Sequence, residues 1–250
     1  MTAVLKLGGS VITRKEEPET VDDAALRTVA EAVGTAVGDG ADGPVLVHGA
    51  GSFGHYHADR HEVTTTAGTR DAAAVREVHD AMTALSAVVC RELGARGVPA
   101  VPVRPLSAAT RDDAGRLSLS TGAVRTMLDE GFVPVLHGDL VAHEGEGATV
   151  LSGDEVVVAL AADLDADRLG LCSAVPGVLD EDGSVIDRID EFERFAAALG
   201  GSDATDVSGG MGAKVRTLLD TPVPASVFGL DGLPDFLAGD QPGTTVGHHE

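Results

Sequence analysis

The chain has 250 residues, 43% of them hydrophobic, and a formal net charge of −22 at pH 7. This length allows one substantial buried core, and the acidic charge argues against nucleic acid as a partner, because phosphate binding needs clustered lysine and arginine. No run of 18 apolar residues is present and the N-terminus lacks a signal-peptide layout, so we expect a cytoplasmic protein that does not bind membranes.

The negative charge is spread along the chain and is not gathered in an acidic tail. At molar salt the Debye length falls to about 3 Å, so that repulsion between the carboxylates is screened. We therefore expect adaptation to a cytoplasm of high salt concentration.

Apolar runs and amphipathic segments alternate along the chain and predict strands that alternate with helices. The predicted strands are, in chain order, TAVLKL, PVLVH, VPAVPV, FVPVLHGDLV, RLGLCSAV, PASVFGL and GTTVG. The predicted helices cover residues 22–37, 71–94, 120–130, 152–164, 192–199 and 209–219. The segment after PVLVH is expected to be a long polar loop or a short helical turn. AHEGEGATV is expected to be a hairpin, and PGVLDEDGSVIDRI a hairpin or an excursion of the chain.

This alternation predicts an α/β fold with a mostly parallel sheet that is covered by helices on both faces. Neither an internal repeat nor a long linker divides the sequence, so we expect a single domain over residues 1–250. Cys90 and Cys172 lie in apolar runs without metal-ligand spacing. They are expected to be free buried thiols, and no metal-binding set of residues is predicted.

Two glycine-rich turns follow the first two predicted strands: Gly8-Gly9-Ser10 in KLGGS, and residues 49–54 in HGAGSFGH. The second turn matches G-x-G-x-x-G, but a dinucleotide site needs the first strand–helix turn and an amphipathic helix directly after it, and HYHADRHEV offers no apolar stripe. No Walker A motif is present, because Ala213 and not glycine precedes Lys214.

Lysine is confined to glycine-rich segments or their immediate neighbours: only three of the 18 basic residues are lysines, Lys6, Lys15 and Lys214. A compact ammonium group suits contact with phosphate as a point charge. Two glycine turns at the carboxyl ends of neighbouring strands can hold two phosphoryl groups that face each other, with Lys6 between them and His55 as a further donor. The residues thus favour phosphoryl transfer between two phosphates.

These segments, together with SGD at 152–154, SGGMGAK at 208–214 and GT at 243–244, resemble the isopentenyl phosphate kinases of the amino acid kinase superfamily. The resemblance spans nearly the whole chain, and HGAGSFGH is its most specific part. It implies a three-layer αβα sandwich, a homodimer, and transfer of phosphate from ATP, with Mg2+, to isopentenyl phosphate in an alternative mevalonate route. It also implies that residues about 1–145 bind the acceptor and residues about 146–250 bind the nucleotide.

The resemblance implies roles for individual residues. Catalytic roles fall to Lys6, Lys15, His55 and Asp154; nucleotide contacts to Lys6, Gly8, Gly9, Ser10, Ala50, Gly210 and Lys214; substrate contacts to Gly49, Gly54, His55 and Gly153. Where the superfamily commonly has Thr-Asp-Val-Asp-Gly, this chain has Ser-Ala-Val-Pro-Gly at 173–177, which leaves the nucleotide contacts of that turn open.

Three alternatives stay open at this stage. A fosfomycin kinase would share the histidine-bearing loop, a non-catalytic nucleotide-binding subunit would share the fold, and a kinase acting on a carboxylate would not need His55. The scattered apolar residues that would hold the organic part of the acceptor do not separate these classes in the sequence.

The remaining histidines have simpler interpretations. His48 ends an apolar strand and is expected to pack or hydrogen-bond locally. His57 and His61, four residues apart, are expected at the solvated surface, since no third metal ligand accompanies them. Ser52 is expected to be a loop hydroxyl and not a nucleophile.

The charge generates a prediction: folding and activity should need salt on the order of 1 M, because screening must offset carboxylate repulsion. Urea-unfolding midpoints and turnover, measured from low to molar KCl, check this. Full stability and turnover at about 50 mM salt would contradict it.

Overall fold

The computed structural model describes residues 2–40, 43–195 and 210–247. Within them, the chain forms a central eight-stranded sheet with helices on both faces and a second, four-stranded sheet at one side. No helix in the described ranges is long and apolar enough to cross a bilayer.

The central sheet has the strand order β10-β12-β11-β9-β1-β2-β6-β3. Its strands are β1 (Ala3–Leu7), β2 (Val45–His48), β3 (Ala100–Pro102), β6 (Val133–His137), β9 (Arg168–Ser173), β10 (Arg188–Ile189), β11 (Ala225–Gly229) and β12 (Thr244–Val246). Every pairing in it is parallel except that of β11 with β12. The prediction of a mostly parallel sheet is confirmed.

The helices of the described ranges are α1 (Gly9–Ile12), α2 (Asp23–Gly38), α3 (Gly51–Arg60), α4 (Ala72–Gly94), α5 (Pro105–Ala108), α6 (Gly122–Asp129), α7 (Gly153–Asp163), α8 (Gly210–Leu219) and α9 (Leu233–Ala238). Predicted helix starts agree with the observed caps: Asp22 caps α2, Asp71 caps α4 and Ser152 caps α7. Residues 192–195 are helical, and the rest of the helix predicted over 192–199 lies outside the described residues.

The sheet separates two hydrophobic cores, as the predicted three-layer sandwich requires. Val4 packs in the core formed with α6, α7 and α8. Leu5 and Leu7 pack in the core formed with α2, α4 and α9. Side chains alternate between the two faces of a strand, so Lys6 points to the same side as Val4, the side that α7 covers.

The second sheet was missed by the sequence analysis. Its order is β5-β4-β7-β8, with β4 (Ala109–Arg111), β5 (Leu117–Leu119), β7 (Asp139–His143) and β8 (Gly147–Leu151). The segment FVPVLHGDLV is therefore two strands in different sheets, divided at Gly138, and not one strand. The hairpin predicted at AHEGEGATV is confirmed, because β7 and β8 pair antiparallel.

The second predicted hairpin, at PGVLDEDGSVIDRI, is reduced to an isolated bridge between Leu179 and Val185. The end of that segment forms β10, which pairs parallel with β12 at the sheet edge. Cys172 is a free buried thiol, as predicted, and burial raises its pKa to about 12. Cys90 is free but only half-buried, so the prediction for it was wrong in part.

Candidate active site

The two glycine-rich turns pack against each other, backbone to backbone. β1 and β2 are parallel neighbours, and Leu7 is paired with His48, so both turns leave the same edge of the sheet. A Cβ atom at Gly9 would lie 2.2 Å from the nitrogen of Gly51, and one at Gly49 would lie 2.6 Å from the nitrogen of Gly9. Glycine is required here because no side chain fits between the turns.

Both turns lead directly into helices, which corrects the sequence analysis. α1 begins at Gly9, and α3 begins at Gly51, in a segment predicted to be a loop or a short helical turn. Gly51 has a φ of 51°, a conformation that favours glycine. The missing apolar stripe misled the prediction, because α3 buries Phe53 and Ala58 together with the polar Ser52 and His57.

Three helix starts, at Gly9, Gly51 and Gly153, line one cleft of about 540 Å³. The first backbone N–H groups of a helix lack carbonyl partners within it, and the helix dipole adds positive potential at that end. Together they make this part of the cleft suited to anionic groups.

Lys6 lies at the centre of the cleft, in a buried ion pair with Asp154. Its Nζ atom is 2.7 Å from Oδ1 of Asp154, and the two side chains are only 8% and 9% exposed. An unpaired buried ammonium is costly because it loses its hydration, so the Asp154 carboxylate compensates and orients the Lys6 side chain. A Cβ atom at Gly153 would lie 3.2 Å from Cε of Lys6, so α7 passes close to the lysine stem.

The start of α7 is fixed by a capping box. The Ser152 hydroxyl accepts a hydrogen bond from the Glu155 backbone at 3.2 Å, and the Ser152 backbone donates to the Glu155 carboxylate at 3.0 Å. The buried Arg111, from the second sheet, lies 2.8 Å from the same carboxylate. These contacts hold the helix that carries Asp154 at a defined position beside Lys6.

Every residue predicted for the site lines this cleft: Lys6, Gly8, Gly9, Ser10, Lys15, Gly49, Ala50, Gly54, His55, Gly153, Asp154, Gly210 and Lys214. They come from β1, the turns after β1 and β2, α1 and the loop after it, α3, and the first halves of α7 and α8. The fold therefore brings together residues up to 208 positions apart in the chain. Their individual roles stay predictions.

The sequence analysis missed the apolar wall of the cleft. Ala58 of α3, Val78 and Met82 of α4, and Val150 of β8 contribute to it. Val78 and Met82 are four residues apart and lie on one face of α4, a spacing that also fits an ordinary core stripe. Only the packing of the second sheet against α4 shows that this stripe borders a cavity.

Asp139 is a charged residue of the same cleft that the sequence analysis also missed. Its side chain is fully buried, and Nδ1 of His79 on α4 lies 2.8 Å from its carboxylate. This hydrogen bond to the carboxylate raises the pKa of His79. The pair connects α4 to the first residue of β7.

At the other end of the cleft, Ser173, Ala174 and Val175 line the wall near Met211 and Lys214 of α8. Residues 173–175 thus line the cleft even though the segment lacks the two acids usual in the superfamily. Ser208 and Gly209 of the predicted SGGMGAK motif lie outside the described residues.

His48 is a buried, locally hydrogen-bonded strand-end residue, as predicted. Its Nδ1 lies 3.2 Å from the carbonyl oxygen of Gly49, so this nitrogen carries the proton and donates. The His137 ring, on the neighbouring strand, lies 5.3 Å away between centroids. Burial, with the charge on His137 as a smaller cause, lowers the pKa of His48 to about 3.

The predictions for Ser52 and His57 were wrong in their placement. Ser52 is buried in α3 and bonds to the backbone of Thr20, and His57 is buried between Glu19 and Glu77. His61 is half-buried and bonds to Glu77. A helix start at Gly51 turns these side chains toward α4 and the loop after α1, which the local sequence does not show.

The described part of the chain contains no group of three or more His, Cys, Asp or Glu residues arranged to hold a metal ion. Asp154 is the carboxylate beside Lys6 in the cleft. A magnesium ion commonly takes one or two protein carboxylates and completes its shell with phosphate oxygens and water. Asp154 therefore fits a metal held mainly by a bound nucleotide and does not form a dedicated metal centre.

Comparison with known proteins identifies relatives over the whole fold. The family model of the amino acid kinase family matches residues 1–221. The isopentenyl phosphate kinase of Haloferax volcanii is 58% identical over 243 residues, which cover 97% of each chain. The isopentenyl phosphate kinase of Methanothermobacter thermautotrophicus is 36% identical over 231 residues, 86% of this chain and 85% of the relative.

A solved structure agrees with the sequence comparisons. A crystal structure of an isopentenyl phosphate kinase superposes with a TM-score of 0.83 at 27% sequence identity, and the match covers 98% of this chain and 100% of the other.

The environment of His48 generates a prediction about pH. The ordinary histidine pKa is near 6.5 and the folded value is about 3, so the unfolded chain binds this proton more readily. His48 therefore contributes full stability above pH 6.5 and loses it as the pH falls toward 3. The loss is about 1.4 kcal/mol per pH unit for one such proton.

The test is the free energy of unfolding by urea at high salt, between about pH 6.5 and pH 4.5. Wild type should lose more stability than His48→Asn over this range, because the variant lacks this proton site. Parallel curves for wild type and His48→Asn would contradict the assignment.

Proposed function

The chain belongs to the amino acid kinase family, and we propose that it is a kinase that transfers the γ-phosphoryl group of ATP to isopentenyl phosphate and forms isopentenyl diphosphate. The observation that carries this proposal is the pair of glycine turns in direct contact at one cleft, with Lys6 beside them. The 58% identity to an isopentenyl phosphate kinase over 97% of the chain supports the choice of acceptor.

We assign the turn after β2 and the start of α3 to the acceptor phosphate. Gly49, Gly54 and His55 line the cleft there. A phosphate oxygen is already ionised near neutral pH, so the acceptor needs no general base. His55 is proposed to donate a hydrogen bond that orients the acceptor and stabilises the charge on the transferred group.

The apolar wall accounts for the organic part of the acceptor. Ala58, Val78, Met82 and Val150 present hydrocarbon to the cleft close to the proposed phosphate site. An isopentenyl group is a short branched hydrocarbon, and burying it against such a wall is favourable. An amino acid acceptor would carry a charged carboxylate or ammonium into this wall, which disfavours that class.

The opposite end of the cleft is assigned to ATP. Gly8, Gly9, Ser10 and Ala50 would contact its phosphates from the turns, while Gly210 and Lys214 would approach the nucleotide from the start of α8. The N-terminal part, about 1–145, then mainly binds the acceptor and the part about 146–250 mainly binds the nucleotide. The exceptions are Val150, which lies on β8 and lines the acceptor wall, and the four nucleotide contacts of the N-terminal part, Gly8, Gly9, Ser10 and Ala50.

Lys6 and Lys15 are proposed to neutralise the phosphoryl group as it moves. Phosphoryl transfer gains most from positioning and from fixed positive charge, because little covalent work falls to the protein. Asp154 holds the Lys6 ammonium at 2.7 Å and fixes its direction. A magnesium ion bound with ATP would supply further charge neutralisation, and Asp154 would help to hold it.

We further propose that the protein is a homodimer and that it functions in a cytoplasm of high salt concentration. Its product would enter an alternative mevalonate route. The charge of −22 and the similarity to a Haloferax volcanii protein support the salt adaptation. The exposed edge strand β3, with Phe132 43% exposed beside it, offers an apolar surface for a second copy.

The deciding experiment is ADP release at high salt with separate acceptors: isopentenyl phosphate, dimethylallyl phosphate, fosfomycin, glutamate and carbamate. We expect turnover with isopentenyl phosphate to exceed that with fosfomycin and with both carboxylate acceptors. Fastest turnover with fosfomycin would favour the phosphonate kinase, and ATP binding without turnover on any acceptor would favour the non-catalytic subunit.

Substitutions of His48 and His55 test the proposed role of His55. His55→Ala should lower kcat by about 100-fold or more, while His55→Gln, which keeps a donor, should retain measurable activity. His48→Asn is the matched control, because it removes a histidine at the end of β2, on the other side of the same glycine turn, where the ring contacts backbone. A larger loss of kcat in His48→Asn than in His55→Ala would contradict the proposed role of His55.

A further inference from the structure

The loop that carries Lys15 is fastened to α3, the helix that carries His55. Residues Thr13 and Val21 pair across the base of this loop, and Lys15, two residues after Thr13, is exposed and lines the cleft. The loop does not belong to either sheet. The position of the Lys15 ammonium therefore depends on the contacts between the loop and α3.

Ser52 provides the first of these contacts. Its backbone N–H donates to the Thr13 hydroxyl at 3.0 Å, and its carbonyl oxygen accepts from the Glu19 backbone at 3.1 Å. The Thr20 backbone donates to the Ser52 hydroxyl at 3.3 Å. Both ends of the loop are thus joined to the first turn of α3.

The second contact is a clasp formed by Glu19, His57 and Glu77. Nε2 of His57 lies 2.7 Å from Oε1 of Glu19, and Nδ1 lies 2.9 Å from Oε1 of Glu77 on α4. An ionised carboxylate only accepts hydrogen bonds, so Glu19 and Glu77 are the acceptors in the clasp. The His57 side chain is 10% exposed, whereas that of Glu19 is 52% exposed.

Three further residues, in and directly after α3, surround the contact between His57 and Glu77. Arg60, on the same helix, pairs with Glu77 at 2.6 Å, and His61 lies 2.7 Å from the other oxygen of Glu77. Tyr56 packs edge-on against the His57 ring at 5.1 Å. Glu77 is thereby held by α3, which leaves Glu19 as the carboxylate through which His57 reaches the loop.

The backbone of Glu19 shows that this contact is imposed on the loop. Its φ of 51° is in the left-handed region, which a non-glycine residue seldom adopts. This conformation occurs where Glu19 donates its backbone N–H to α3 and directs its carboxylate to His57. If the side chain at this position had no partner, glycine would be the favoured residue.

We propose that Glu19 is a positioning residue that acts through His57: the clasp holds the loop so that Lys15 meets the phosphoryl group in transfer. The inference rests on the proposed function, since it assigns the loop a task in that reaction. The clasp connects the loop of Lys15 to the helix of His55, and both residues line the cleft. Misplacement of such a group by about 1 Å can cost 100-fold in rate.

A double-mutant cycle separates positioning from a general structural effect. Glu19→Ala should lower kcat with isopentenyl phosphate by about tenfold or more and change the KM for ATP little. In a Lys15→Ala background the same change should alter kcat by less than about twofold, because the group it positions is gone. Glu19→Gln, which keeps an acceptor oxygen for His57, should stay within about threefold of wild type.

Glu17→Ala is the matched control. It removes the same charge from the same loop, but Glu17 pairs only loosely with Arg14, at 3.7 Å, and both side chains are 57% exposed. It should leave kcat within about twofold of wild type. An equal loss of kcat in Glu17→Ala and Glu19→Ala would attribute the effect to loop charge and overturn the proposal.

Limited proteolysis provides a readout that does not depend on turnover. Trypsin cleaves after Arg14 and Lys15, and opening of the loop should expose these bonds at least about fivefold more in Glu19→Ala than in wild type or Glu17→Ala. Equal cleavage rates would overturn the clasp, and faster cleavage with unchanged kcat would overturn its role in positioning. Wild type without turnover on isopentenyl phosphate would overturn the proposed function instead, while the cleavage rates would still decide whether the clasp holds the loop.

Discussion

The contact between the two glycine turns is the constraint on which the site depends. A hypothetical side chain at Gly9 would lie 2.2 Å from the Gly51 backbone, so the turns approach as closely as two backbones can. β1 and β2 are neighbours in a parallel sheet, and their turns leave the same edge side by side. Two anionic groups held by these turns would therefore face each other across a short distance, which is the requirement for direct transfer between them.

The alternation of side chains along β1 supplies the charge for that transfer. Leu5 and Leu7 anchor one face of the strand in the core with α2 and α4, so Lys6 must point to the face covered by α7. There the capping box at Ser152 fixes the helix start that brings Asp154 to the ammonium. The ion pair is thus a consequence of strand periodicity and of one well-capped helix, and neither element alone would place a charged lysine in a buried cleft.

The sequence predicted what depends on local pattern and missed what depends on packing. The helix starts at Asp22, Asp71 and Ser152 and the long apolar strands were predicted, because each signal lies within a few residues. The second sheet was not predicted, because its strands β4 and β5 have only three residues each. The helix at Gly51 was missed because its buried face includes Ser52 and His57, whose partners lie more than 19 residues away.

The most direct test of the account is the turnover of Gly9→Ala with ATP and isopentenyl phosphate at high salt. The added methyl group must push the two turns apart, and we expect kcat to fall by about 100-fold or more. Gly94→Ala is the control, because a Cβ atom there would meet nothing within 4 Å. A folded Gly9→Ala variant with kcat within about threefold of wild type would contradict the claim that close approach of the turns positions the two phosphates.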